Sequence, residues 1–180
     1  MKISPKSIAL VCALAVSSSY GAEIGEYKAK ALFLYNIAQF IQWPEDTFKD
    51  ANSPIIFCVL EPSIPEPNPF DDVLERTMDK KMIGGRTPVV RAIPDLKQAF
   101  GCQILFVGSG RSKHPRALLG EAPMTGLLMV GEVAGFAKNG GVVNFKLKGG
   151  SVHLEINVAA AERERLHISS KLLSLAEIVK

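Results

Sequence analysis

The sequence predicts an α/β fold: a single three-layer domain with a mainly parallel sheet, a C-terminal antiparallel hairpin, and helices on both faces. Two observations carry this expectation. Between Ile55 and Val130, short apolar and β-branched runs alternate with helical patterns, as βα units do when they lay strands parallel and cover both sides of a sheet. Near the end, Val142 to Leu147 and Val152 to Ile156 flank Lys148, Gly149, Gly150 and Ser151. A glycine pair between two alternating runs marks a hairpin, because both turn residues need positive φ.

Taken in order, the first element of the domain is a helix. Tyr27, Ala31, Leu34, Tyr35, Ala38 and Ile41 recur at spacings of three and four, and Leu32, Phe33, Ile37 and Phe40 widen the stripe. Such a helix is buried on most of its surface. Trp43 and Pro44 should end it, since the proline ring drives the preceding residue out of the α region. Ile55 to Leu60 follows as a strand, then a proline-rich loop to Pro69 and a helix carrying Phe70, Val73, Leu74 and Met78. After Gly84 and Gly85, Pro88 to Ile93 reads as a second strand, and Pro94 with Asp95 opens a short helix through Phe100. Cys102 to Val107 is a third strand, Pro115 to Leu119 a short helix, and Leu127 to Val130 a fourth strand. Beyond the hairpin, Asn157 is placed to cap a helix over Val158 to Arg165. Ser169 is placed to cap a last helix bearing Leu172, Leu173, Ala176 and Val179 on one face.

The chain opens with Lys2 and Lys6, an apolar run from Ile8 to Val16, and a small polar stretch through Ser17, Ser18 and Ser19 to Gly21 and Ala22. This is the pattern of a secretory signal peptide, expected over residues 1–22 with cleavage near Ala22. The apolar run is about half the ~18 residues that span a bilayer, so no membrane-spanning segment is expected. Residues 23–180 then form one domain. The net charge of +3 over 180 residues includes Lys2 and Lys6, so the exported part is close to neutral, too weakly charged for a sequence-independent grip on nucleic acid.

Export changes how cysteines read. Cys58 and Cys102 fall on the first and third predicted strands, which are neighbours in doubly wound order, and an oxidising compartment favours a bridge between them. Two buried free thiols are the alternative. His114, His153 and His167 are scattered and lack metal-ligand spacing. His153 and Glu155 share a strand face, but the P-C-x-x-C partner of an H-x-E deaminase motif is missing. Ser109 lies in G-S-G rather than G-x-S-x-G, and the glycine pairs have neither dinucleotide nor Walker spacing. The expectation is therefore no enzyme, no cofactor and no metal.

The segments "ALFLYNIAQFIQWP", "IIFCVL", "GGRTPVVR", "CQILFVGSG", "GFAKNGGVVNF" and "HLEINVAAAERERLHISSKLLSLAEIV" occur here in this order. In them the chain resembles the YfiR family of small periplasmic proteins, over nearly its whole mature length. Cys58 and Cys102 match the family's strand cysteines. A second cysteine pair that some members carry near the final hairpin has no counterpart. The resemblance implies a periplasmic, dimeric regulator that binds and represses the periplasmic sensor domain of an inner-membrane diguanylate cyclase, lowering cyclic di-GMP and biofilm formation. It also implies sequestration by an outer-membrane lipoprotein. Partner contact is expected at Glu155, Asn157 and Lys171, polar residues in the most family-like stretch. The bland alternative is that Asn157 caps a helix and Glu155 pairs with Lys171 or Arg163. A second function class is a periplasmic small-ligand receptor using the crevice at the carboxyl ends of the parallel strands.

Overall fold

A computed structural model describes residues 25–60, 69–109 and 125–180. The expected leader and the expected helix from Pro115 to Leu119 lie outside these residues. Helix α1 spans residues 25–39, followed by β1 (Ile41–Gln42), β2 (Ile55–Leu60), α2 (Pro69–Met78), β3 (Pro88–Ile93), β4 (Ile104–Val107) and β5 (Leu128–Gly131). The hairpin strands β6 (Val143–Lys148) and β7 (Ser151–Asn157) come next, then α3 (Val158–Arg163), β8 (His167–Ile168), α4 (Ser170–Leu173) and β9 (Glu177–Val179). The main sheet has the order β3-β2-β4-β5-β6-β7-β9. Strands β3 through β6 in that order run parallel, β7 is antiparallel to β6, and β9 is parallel to β7. This is the expected mixed α/β sheet.

Strand alternation divides the core in two. Phe57, Val59, Ile104, Phe106, Leu128, Val130, Val143, Phe145, Leu154 and Ile156 point to one face, where they meet Ala31, Leu34, Ile37 and Ala38 of α1, Phe70 and Leu74 of α2, and Ala160 and Ala161 of α3. Phe70 stacks on Phe106 with centroids 4.3 Å apart. The other face gathers Cys58, Leu60, Leu105 and Val107 under Leu96 and Ala99 of a 3-10 helix (Leu96–Ala99) and under Phe136. Asp95 starts that 3-10 helix, its carboxylate accepting from the Lys97 N–H.

Phe136 is fully buried between two glycines. A Cβ at Gly131 would lie 2.3 Å from its Cγ, and one at Gly141 would lie 2.2 Å from its Cε1. The ring occupies the space that side chains there would need. Across the sheet, Cys58 and Cys102 form a disulfide with Cα atoms 5.9 Å apart. Cys102 precedes β4 rather than lying on it, and its neighbour Gln103 feeds the sheet, donating its N–H to Ile56 O and accepting the Ile56 N–H on Oε1.

Two expectations are corrected. Ile41 does not continue α1: the helix stops at residue 39, and Ile41 pairs with Ile168 in a small separate β1-β8 sheet. Its burial comes from that pairing, which imitates one more turn of helical periodicity. The last helix is only Ser170–Leu173, capped by Ser169 Oγ as expected. Ala176 and Val179 lie beyond it, and Val179 is buried because β9 pairs with β7, not because it shares a helix face. The hairpin is as expected, with φ of +59° at Gly149 and +77° at Gly150.

Candidate functional site

The tight glycine turn fixes the hairpin register, and the register decides which polar groups meet. Asn144 stands opposite Glu155 and Lys146 opposite His153. Along a strand the faces alternate, so these four residues project away from the α1 side. Glu155 is only 4% exposed. Its carboxylate accepts from Asn144 Nδ2 and from Lys146 Nζ, both at 2.9 Å. Burial pushes its pKa up, but the two hydrogen bonds and the charges of Lys146 and Lys138 outweigh this and hold it below the usual carboxylate range.

Strand β9 adds a second carboxylate. Glu177 is the ladder neighbour of Glu155, an arrangement of like charges that is unfavourable by itself. Lys146 resolves it by also approaching Glu177, at 3.7 Å. The hydrogen bond to Glu155, with both carboxylate charges, raises the Lys146 pKa above its usual value. The cluster is thus a clasp joining β6, β7 and β9, with Lys146 and Glu177 on the solvent side.

Asn157 is buried at the end of β7 and uses both ends of its amide. Oδ1 accepts from the Ala160 N–H, capping α3, and Nδ2 donates to Ala137 O, each at 2.9 Å. Lys171 is exposed on α4 and, among the described residues, makes no ion pair. Of the three positions expected at a contact surface, two are therefore buried with internal partners and one faces solvent. The structural alternative weighed for Glu155, a pair with Lys171 or Arg163, is not the one found. Lys146 takes that place because it lies diagonally across the hairpin. Near Lys171, Leu175 is 73% exposed and Ile178 is 50% exposed.

A second polar cluster sits at the carboxyl ends of β4 and β5. Lys30, 4% exposed on α1, binds the carboxylates of Glu26 and Glu132. Glu132 in turn accepts the Ser109 N–H at 2.6 Å. Burial alone would lower the Lys30 pKa, yet hydrogen bonds and charge from both glutamates carry it above its usual value. Ser109 therefore serves through its backbone, at the start of the loop after β4. His153 and His167 are exposed, His167 on β8 opposite Gln42, and His114 lies outside the described residues. Among the described residues no group of three or more His, Cys, Asp or Glu could hold a metal. In each cluster one lysine is shared between two glutamates, an arrangement suited to fixing strands.

A family model described as YfiR/HmsC-like matches residues 27–177. The chain belongs to the YfiR/HmsC-like family. Membership supports a periplasmic regulatory role in general terms. No curated protein matches the sequence. Among solved structures, similar chains include a conserved domain protein from Vibrio cholerae O1 biovar El Tor strain N16961, with 13% identity and a TM-score of 0.47 over 69% of this chain and 54% of that one. Another is the ABC domain in complex with L-Trp from Streptococcus pneumonia, with 12% identity and a TM-score of 0.45 over 70% of this chain and 55% of that one. This YfiR/HmsC-like chain spans about half the length of each. Among its described residues no helix is long and apolar enough to cross a membrane.

Sequence reasoning passed over Lys146 and the Lys30 cluster. Lys146 was findable: counting back from the Gly149–Gly150 turn places 146 opposite 153 and 144 opposite 155. Glu26 and Lys30 show an i,i+4 spacing that a helix brings together. Glu132 gives no local signal, because its pairing with Lys30 spans 102 residues.

Proposed function

We propose that the chain binds the periplasmic sensor domain of an inner-membrane diguanylate cyclase and holds the cyclase inactive, so that cyclic di-GMP and biofilm formation fall. The observation that carries this reading is the family match over residues 27–177. Residues 1–22 serve as a leader removed near Ala22. The mature chain acts as a homodimer, and an outer-membrane lipoprotein sequesters it. Because cyclic di-GMP is made in the cytoplasm, control passes through the cyclase and not through contact with the nucleotide.

The contact surface is the region of the final hairpin and tail. Lys171, with the exposed Leu175 beside it, touches the partner directly. Glu155 acts as a positioning residue by holding Lys146, and Asn157 by fixing the start of α3. An apolar anchor rimmed by charge is a common basis for specific docking. Deleting the gene should raise cellular cyclic di-GMP, and a plasmid copy with its leader should restore the low level. Unchanged cyclic di-GMP in the deletion strain, or restoration by a leaderless copy, contradicts the proposal.

A further inference from the structure

A cavity of about 630 Å³ opens at the carboxyl ends of β7 and β9, beside the start of α3. That volume lies within the range of small-molecule sites, roughly 300–1,000 Å³. Lys138, Arg163 and Lys180 line it, together with the aliphatic side chains of Val158, Ile178 and Val179. Its lining contains no carboxylate side chain. Among the described residues, none of the three cations is held in an ion pair. Elsewhere on this chain the cations with a cluster role are matched: Lys30 has two glutamates, Lys146 has two, and Arg165 has Asp46. Lys138 and Arg163 feel Glu155 and Glu164 only at longer range, and a cavity with such unpaired cations and an aliphatic wall is complementary to a ligand with an anionic head and a short apolar body.

We infer that this cavity binds a small aliphatic carboxylate or phosphate monoester. The anionic head meets Lys138 and Arg163. The chain of the ligand lies on Val158, Ile178 and Val179. Asn157 borders the cavity and ties β7 to both α3 and Ala137, so an occupant contacts the junction of hairpin, helix and edge strand. The inference stands apart from cyclase repression, and either can fail alone.

The test is titration calorimetry of the mature protein with hexanoate and with hexyl phosphate. Hexanamide, hexylamine and inorganic phosphate serve as controls, with amide NMR shifts read in parallel. Saturable binding of at least one of the two anions is expected. The neutral amide, the amine and inorganic phosphate should bind at least tenfold more weakly, and the amide shifts should centre on Gly140, Val158 and Val179. The relative affinity of the two anions assigns the head group. The double variant Lys138→Gln, Arg163→Gln should weaken binding at least tenfold. Ala159→Trp, which fills the cavity from an exposed lining position, supplies the same test if the double variant melts early. Absence of saturable binding by both anions, equal binding of hexanamide or inorganic phosphate, or shifts remote from the cavity overturns the inference. So does undiminished binding by a folded variant.

Discussion

Lys146 reaches diagonally across the hairpin to place its Nζ 2.9 Å from Glu155 Oε1, although the residue directly opposite it is His153. The diagonal reach puts one ammonium group between two carboxylates that the β7-β9 ladder makes neighbours. Edge strand β9 is thereby tied to the hairpin through charge as well as through its short backbone ladder.

The clasp gives a defined pH dependence. Glu155 has a folded pKa below its unfolded value of about 4.3. Between the two values the unfolded chain binds more protons, so stability falls as pH falls. The contribution is fully present above about pH 4.3 and disappears as the pH drops through the lower folded value. Thermal melts from pH 7 to pH 3 should show a steeper acid decline for the parent than for Glu155→Gln. Parallel curves would remove Glu155 from the list of acid-sensitive groups.

Glu164 should behave in the opposite sense. Burial raises its pKa, and the nearby Arg163 charge offsets this only in part, while its Oε2 is buried without a hydrogen-bond partner. Its folded pKa thus exceeds the unfolded one, and it costs stability as pH rises through that interval. Glu164→Gln should melt higher than the parent at pH 7, with the difference vanishing near pH 4. A lower melting temperature at pH 7 contradicts this assignment.

Lys30 carries the heavier structural role. Replacing it with Met leaves Glu132 and Glu26 without their cation, and removing one partner of a buried pair costs about 3–5 kcal/mol. Glu26 is partly exposed, so the lower end is expected. Urea unfolding of Lys30→Met should show that loss, and a midpoint equal to the parent's would mean the cluster is not energetically coupled.

Phe136 makes two glycines irreplaceable for steric reasons. Gly131→Ala forces a methyl into its ring and should destabilise by at least the ~1–3 kcal/mol of core overpacking. Gly149→Ala meets no atom within 4 Å and should cost only the ~1–2 kcal/mol of left-handed backbone. A smaller loss for Gly131→Ala than for Gly149→Ala would contradict the steric account.

Much of the fold was legible because its signals are local or periodic. The twin glycines announced the hairpin, Asn157 and Ser169 announced their caps, and alternation of strands with helices set β2 beside β4, which is what brings Cys58 within reach of Cys102. The failures share one origin. Ile41 and Val179 are buried by strands that arrive from elsewhere in the chain, and each sits at a spacing that also suits a helix. The Lys30–Glu132 pair is likewise a product of tertiary packing. The residues expected at a contact surface divide along the same line: sequence marks Glu155 and Asn157 as unusual polar residues, while only the sheet register reveals that their polar atoms are turned inward.

Oxidation state is directly testable. Alkylation without reduction, followed by mass spectrometry, should find Cys58 and Cys102 linked in the exported protein. The Cys58→Ala, Cys102→Ala double variant should lose up to about 4 kcal/mol in the chain-entropy limit for a 44-residue separation. Two alkylated thiols in the native protein would contradict the bridge.

The most direct measurement for the regulatory role is binding of the purified mature chain to the purified periplasmic domains of the membrane diguanylate cyclases of its own source organism. Saturable binding to at least one of them is expected. Lys171→Glu should weaken that binding at least tenfold without changing the melting temperature, and Glu155→Lys should weaken it together with some loss of stability. If no such domain binds, or if both variants bind as the parent does, the chain does not act on a cyclase through this surface.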